Sequence, residues 1–295
     1  MHRRTFLRST AFFSAAVVVN PVQFCTPSSA RLSNKKAVGL QVYTLRDLIA
    51  KDMEGTLKAV ADLGYNYIEL FDYKEGMYFG KTVKEMQQFL ESIQLPALSS
   101  HIPTGAAEPK RKGTVLNDVE RAVADAKILG QEYLVCPWLA ESERKSIDDY
   151  KRMAQAFNKA GEVCKQYGIQ FCYHNHDFEF FRLDGQIPMD VILAETSADL
   201  VKIELDIYWI TKAGFSYADY FKRYPGRFPL WHVKDMEDSP EKAFAEVGSG
   251  VINWKEVFAT AEQSGMKRFF VEQDKCKRPP LESIQMSREY LRGML

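Results

Sequence analysis

Several protein classes are excluded by what this chain has little of. Its five cysteines, Cys25, Cys136, Cys164, Cys172 and Cys276, include no C-x-x-C pair, so neither a zinc-knuckle nor a dithiol redox motif is present. Cys136 and Cys172 sit in apolar, strand-like runs, which predicts buried free thiols rather than a disulfide framework. No excess of either charge exists: 39 Lys+Arg balance 39 Asp+Glu, so there is no general electrostatic attraction to nucleic acid or anionic membranes. No Gly-rich dinucleotide fingerprint follows the first strand-like run, and no linker or composition shift divides the chain after residue 35. Histidine is scarce too, with five in all, yet two of them share the nine residues "CYHNHDFEF", Cys172 to Phe180.

At 46% hydrophobic and 26% charged, 295 residues have globular composition and enough length for one large α/β barrel or two modest domains. The first thirty residues differ. Arg3, Arg4 and Arg8 come without an acid, "AFFSAAVVV" is an apolar run too short to span a bilayer as a helix, and "PSSA" ends in small residues. Residues 1–30 therefore read as an export signal, and the paired arginines before Thr5, Phe6 and Leu7 resemble the twin-arginine type. "VQFC" lacks the small residues expected before a lipoprotein cysteine. Cleavage after Ala30 would leave 36 Lys+Arg against 39 Asp+Glu, a formal charge of −3, in an exported, periplasmic protein with no stable membrane insertion.

From Lys35 onward, short β-rich runs alternate with helical segments about eight times. The strand candidates are "AVGLQVYT", "YNYIELF", "LPALSSHI", "QEYLVCPWL", "GIQFCYHN", "LVKIELDI", "FPLWHVKD" and "KRFFVEQD". Helical spacing marks the segments between them, and several end at a glycine, as at Gly64, Gly130, Gly168 and Gly265. The fold class expected is α/β, a single (β/α)₈ TIM barrel spanning residues 35–295, whose functional side chains belong at the C-terminal ends of its strands.

Those ends carry Gln41 and Tyr43, Glu69, His101, Trp138, His174 and His176, Glu204 and Asp206, His232 with Lys234, and Glu272. A barrel core calls for Val, Ile and Leu, so ionisable groups at strand after strand point to a site. Asp206, His232 and Glu272 end strands six, seven and eight and are expected to converge on one divalent cation. Oxygen-rich donors with one imidazole suit Mn²⁺, Co²⁺, Mg²⁺ or Zn²⁺. A fourth ligand is expected from strand five or its loop, within "CYHNHDFEF".

The motifs "VGLQVYTLRD", "SSHIP", "YHNHDFEF", "IELDIYW", "HVKD", "VGSGVINW" and "FVEQD", in this order, resemble the xylose isomerase-like barrel family of sugar phosphate isomerases and epimerases. That group includes ketose 3-epimerases, inosose dehydratases and lyases of 3-keto-glycosides. The resemblance implies one divalent metal held by a glutamate after strand five, then Asp206, His232 and Glu272. Strand five here ends in "CYHNH", so Glu179 from the following loop is the preferred fourth ligand, with His174 or His176 as nitrogen alternatives. It also implies proton abstraction beside a sugar carbonyl by two opposed glutamates, of which Glu272 is one; because strand five departs from the family pattern here, His176 or His174 is expected to serve the other face. The metal aspartate of many epimerases is followed three residues on by histidine; here Trp209 stands there and is expected to stack on substrate. His101 and Lys234 are expected to bind substrate oxygens, Arg227 to reach in from before strand seven, and Trp138 to form a wall. The expected ligand is a small carbohydrate, unphosphorylated because sugar phosphates are kept in the cytoplasm, and a homo-oligomer is compatible with the chain. Alternatives are a non-catalytic sugar-binding barrel and, against the charge balance, a relative of abasic-site endonucleases that would bind nucleic acid.

Overall fold

The computed structural model describes residues 37–295; the expected export segment lies outside the described residues. Eight parallel strands close into a barrel: β1 (Gly39–Gln41), β2 (Tyr67–Leu70), β3 (Ala97–His101), β4 (Tyr133–Cys136), β5 (Gln170–His174), β6 (Val201–Asp206), β7 (Leu230–Val233) and β8 (Arg268–Val271). Each strand pairs with its sequence neighbours, and β8 closes on β1 through Gly39 opposite Phe270 and Leu40 opposite Val271. Each of these eight barrel strands lies inside a run anticipated from β-rich composition.

Helices fill the connections. The longest among the described residues, α1 (Ile147–Gln166), starts at Ser146, which accepts from the Asp149 N–H while the Asp149 carboxylate accepts from the Ser146 N–H, a reciprocal cap that satisfies two orphan donors. It buries Ile147, Tyr150, Ala154, Phe157, Gly161 and Cys164, a stripe at helical spacing that faces the strands. Gly161 is needed for that approach: a Cβ there would lie 2.5 Å from the Leu200 carbonyl oxygen. The helix stops before Gly168, whose φ of +71° favours a residue without a Cβ.

Side chains along each strand alternate between the barrel axis and the helical layer. On β5, Phe171 and Tyr173 face outward and meet Phe157 of α1 at ring centroid distances of 5.6 and 5.0 Å. Cys172 and His174 consequently face the axis. The same parity on β7 sends Trp231 outward against Phe221 and Phe258, and His232 inward. On β6 it places Glu204 and Asp206 together on the inside. Cys136 and Cys172 are buried free thiols, as their apolar runs predicted, and Cys164 on α1 is buried and free as well.

Two antiparallel hairpins, Met77–Tyr78 with Lys81–Thr82 and Asp235–Met236 with Phe244–Ala245, decorate the loops after β2 and β7. They are too short for a period-2 pattern to announce. Buried Asp235 ties the second hairpin to the "VGSGVINW" loop: it accepts from the N–H groups of Gly248 (2.8 Å) and Ile252 (3.1 Å) and from Trp254 Nε1 (2.9 Å). The glycines of that loop serve this packing, since a Cβ on Gly250 would meet Asp235 Oδ1 at 2.3 Å.

Candidate functional site

The inward parity of the strands gathers four side chains at the C-terminal end of the barrel. His174 Nε2, Asp206 Oδ2, His232 Nδ1 and Glu272 Oε2 form a buried group whose ligand atoms lie within 4.8 Å of one another. Asp206 is fixed by the chain itself. It caps the short helix Ile207–Lys212 by accepting from the Trp209 N–H at 3.0 Å through Oδ1, which leaves Oδ2 directed at His174, 3.3 Å away. His174 is held from behind by the Pro137 carbonyl, 3.1 Å from its Nδ1.

Lys234, two residues beyond His232 and therefore also inward, lies 3.0 Å from Asp206, 2.6 Å from Glu272 and 2.9 Å from Asp274. Burial opposes the ammonium charge, but these three carboxylates override it and hold the Lys234 pKa well above its ordinary value. Burial likewise opposes ionisation of Asp206, yet Lys234 and the neighbouring imidazoles bring its pKa down to about 2.

A second group lies beneath the first. Glu69, His101, Glu204 and His232 also bring one ligand atom each within 4.8 Å of the others. His232 belongs to both groups and uses a different ring nitrogen in each: Nδ1 is 2.8 Å from Glu272, and Nε2 is 2.8 Å from Glu69 and 3.2 Å from Glu204. Burial pulls against a charged imidazole at His101, but Glu69 and Glu204 carry its pKa up to about 9.

His176 stands at the wall. Its ring stacks on Phe178 at 5.5 Å, meets Trp209 at 5.3 Å and touches the edge of His174 at 5.0 Å. Burial first, then the nearness of His174 and Lys234, push its pKa well below the usual histidine value. Its Nδ1 and the Trp209 Nε1 are both buried without a hydrogen-bond partner. Two unsatisfied polar atoms on one wall are costly unless a ligand completes them.

The residues expected from sequence divide accordingly. Asp206, His232 and Glu272 converge with Lys234 and His101 nearby, and Trp209 lines the wall. Trp138, 46% exposed after β4, is on the surface of that rim. Two expectations are corrected. Glu179 is not over the mouth: its carboxylate accepts from the outward-facing Tyr173 hydroxyl and, at 2.8 Å, from the His176 N–H, so it is engaged behind the barrel wall, and the fourth member of the buried group is His174. Arg227 precedes β7 and so lies at the opposite end of the barrel. It donates to the Leu193 carbonyl at 3.2 Å and to Thr196 Oγ1 at 2.9 Å. Asp274 was missed, although its spacing of two from Glu272 carries the inward parity just beyond β8. Glu69 and Glu204 are legible in sequence only as polar strand ends, although the same alternation pairs Glu204 with Asp206.

A closed parallel barrel whose C-terminal mouth concentrates carboxylates and imidazoles defines a TIM barrel with a polar site of mixed oxygen and nitrogen donors. The chain belongs to the xylose isomerase-like TIM barrel family, whose model matches residues 57–294. It is 24% identical over 163 residues to an inosose dehydratase of Lacticaseibacillus casei, an alignment covering 49% of this chain and 54% of that protein. The chain thus spans about half the length of the curated relatives it first matches. A crystal structure of a sugar phosphate isomerase/epimerase from Parabacteroides distasonis is 28% identical and superimposes with a TM-score of 0.74, covering 90% of this chain and 96% of that one. The zinc-bound IOLI protein shares the fold at 15% identity, with a TM-score of 0.67 over 86% of this chain and 95% of its own.

Proposed function

We propose that this chain is a divalent-cation-dependent enzyme that removes a proton beside the carbonyl of a sugar or keto-sugar. The observation that carries this reading is the donor set itself. Two imidazole nitrogens and two carboxylate oxygens face one another at the barrel mouth, beside a histidine whose own nitrogen has no partner. Mixed nitrogen and oxygen donors suit Zn²⁺, Co²⁺ or Mn²⁺, and less readily Mg²⁺, which prefers oxygen. His174, Asp206, His232 and Glu272 would hold the ion. Such an ion, when bound, polarises a carbonyl and a neighbouring hydroxyl as a Lewis acid.

The remaining chemistry belongs to side chains. His176 Nδ1 offers a lone pair at the wall, so it takes the α-proton while the C–H electrons move toward the carbonyl. Trp209 Nε1 gives a donor to a substrate oxygen, and its ring face offers a stacking surface. Glu272, engaged by His232 and Lys234, is placed to ligate rather than to take the second proton. His174 is likewise drawn into the ligand set, leaving His176 as the base. An exchange by two opposed carboxylates, the symmetrical epimerase arrangement, therefore has less support than abstraction by one imidazole. After abstraction, reprotonation gives an isomer or epimer, and loss of the β-substituent gives elimination. The latter is the reaction class that a 3-keto-glycoside offers, with its C2 proton acidified by the C3 carbonyl.

Export of the chain, read from residues 1–30, belongs to the same proposal and favours unphosphorylated substrates. Cell fractionation of the full chain against an Arg3→Lys, Arg4→Lys variant tests it: retention of the variant in the cytoplasm supports twin-arginine export. The reaction is tested by incubating protein loaded in turn with Mn²⁺, Co²⁺, Mg²⁺ and Zn²⁺ with free ketoses and 3-keto-glycosides in deuterated water. Deuterium at C2 or C3, or release of the aglycone, supports the reading. Proton retention at every carbon across the panel contradicts it.

A further inference from the structure

The two polar groups in the barrel meet in a single imidazole, and that meeting assigns a role to residues below the mouth. A neutral imidazole carries one N–H and one lone pair, so the nitrogen that ligates a cation leaves the other to donate. His232 Nδ1 faces Glu272, Asp206 and the mouth, while Nε2 faces Glu69 at 2.8 Å and Glu204 at 3.2 Å. We infer that Glu69 is a positioning residue: by accepting the Nε2–H of His232, it fixes the tautomer in which Nδ1 is free to ligate a divalent cation with His174, Asp206 and Glu272.

Glu69 is built for this. Gln41 Nε2 donates to its Oε1 at 2.8 Å and Ser99 Oγ donates to its Oε2 at 2.5 Å, so the carboxylate is held from β1 and β3 while it meets β7. His101 Nε2 contributes from 2.9 Å, and Glu204 backs both imidazoles from 3.2 Å. Glu69, Glu204 and His232 are sealed from solvent, so no water competes for that proton. Carboxylates behind a metal-ligating histidine fix its orientation and raise its basicity.

The same four residues could be read instead as a second cation site. That reading makes His232 ligate through Nε2, and serving both ions would strip the ring of both protons. A single ion at the mouth lets Nε2 keep its proton on Glu69, and without that ion Nδ1 also carries a proton, donated to Glu272 at 2.8 Å.

The inference rests on the proposed cation site, and the test separates the two. The full chain is titrated with Co²⁺, following visible absorption and calorimetry, with histidine ring protons observed by ¹⁵N-resolved NMR. Wild type is expected to bind one equivalent and to show a protected Nε2–H on His232. Glu69→Ala should lose about 10- to 100-fold in affinity while its metal-free form keeps the wild-type circular dichroism spectrum. Glu69→Gln, which retains an acceptor oxygen, should recover most of that loss. If Glu69→Ala does not fold, a shifted His232 Nε2–H resonance in Glu69→Gln gives the same answer, and an unchanged one overturns the inference. Wild-type affinity in Glu69→Ala, or a second Co²⁺ equivalent lost on that substitution, would overturn it while leaving the mouth site standing. No Co²⁺ bound by wild type would overturn it together with the reading beneath it.

Discussion

Tyr173 and His174 are adjacent in sequence and serve opposite sides of the barrel wall. The Tyr173 hydroxyl binds Glu179 behind the wall, while His174 Nε2 lies 3.3 Å from Asp206 at the mouth. Strand alternation alone separates them, and it decides that the histidine, rather than the loop glutamate, completes the donor set.

Glu179 should reveal its place through pH. Burial, only partly offset by Tyr173 and the His176 N–H, pushes its pKa up to about 7 from an ordinary 4.5. Between those values the folded protein keeps a proton that the unfolded chain releases, so this contribution is full below pH 4.5 and is lost as pH rises through 7. Glu179→Gln should flatten that dependence, gaining on the order of 3 kcal/mol relative to wild type at pH 8 compared with pH 4.5. Urea unfolding at both pH values checks this, and parallel pH slopes for the two proteins would contradict it.

Lys234 neutralises the site from within. Replacing it by methionine leaves Asp206, Glu272 and Asp274 without their shared ammonium, which should cost the metal-free protein about 3–5 kcal/mol. A divalent cation should then restore more stability to Lys234→Met than it adds to wild type. Thermal melts with and without Mn²⁺ measure the two increments, and a larger increment in wild type would run against the prediction.

His174 and His176 should fail differently. His174→Ala removes a proposed ligand and should weaken cation binding, whereas His176→Phe keeps a ring in the aromatic wall but removes the proposed base. The latter should bind Co²⁺ as wild type does and lose about 10²–10⁴-fold in turnover. Calorimetry beside a solvent-deuterium exchange assay distinguishes them; equal losses of binding in both variants would remove the separation of roles.

Asp235 should matter for folding more than for chemistry. Asp235→Ala leaves the Gly248 and Ile252 N–H groups and the Trp254 Nε1–H with no acceptor in the interior. Each unsatisfied buried donor costs ~1–3 kcal/mol, so a loss of several kcal/mol is expected in chemical denaturation. A change below about 1 kcal/mol would show that water replaces the carboxylate.

The eight strands were legible because each is a short β-rich run between helical segments with glycine stops, and the barrel followed from their number. Asp206, His232 and Glu272 were legible because they end such runs. Glu179 was misplaced because a loop residue has no fixed parity, and whether it swings over the mouth or behind the wall depends on Tyr173, a partner that spacing does not name. Arg227 was misplaced because a residue before a strand lies at the barrel's other end, whatever its charge. Asp274 went unseen because it lies beyond the strand, where alternation persists for two residues without any hydrophobic pattern to mark it.

His174, Asp206, His232 and Glu272 are the proposed holders of a divalent cation. The most direct measurement of that binding is the metal content of the purified protein by inductively coupled plasma mass spectrometry, after loading with Mn²⁺, Co²⁺ or Zn²⁺ and desalting, for wild type and Asp206→Ala. Close to one equivalent in wild type, lost in Asp206→Ala, is the predicted result; no retained metal under any loading condition, or the same content in both proteins, would contradict it.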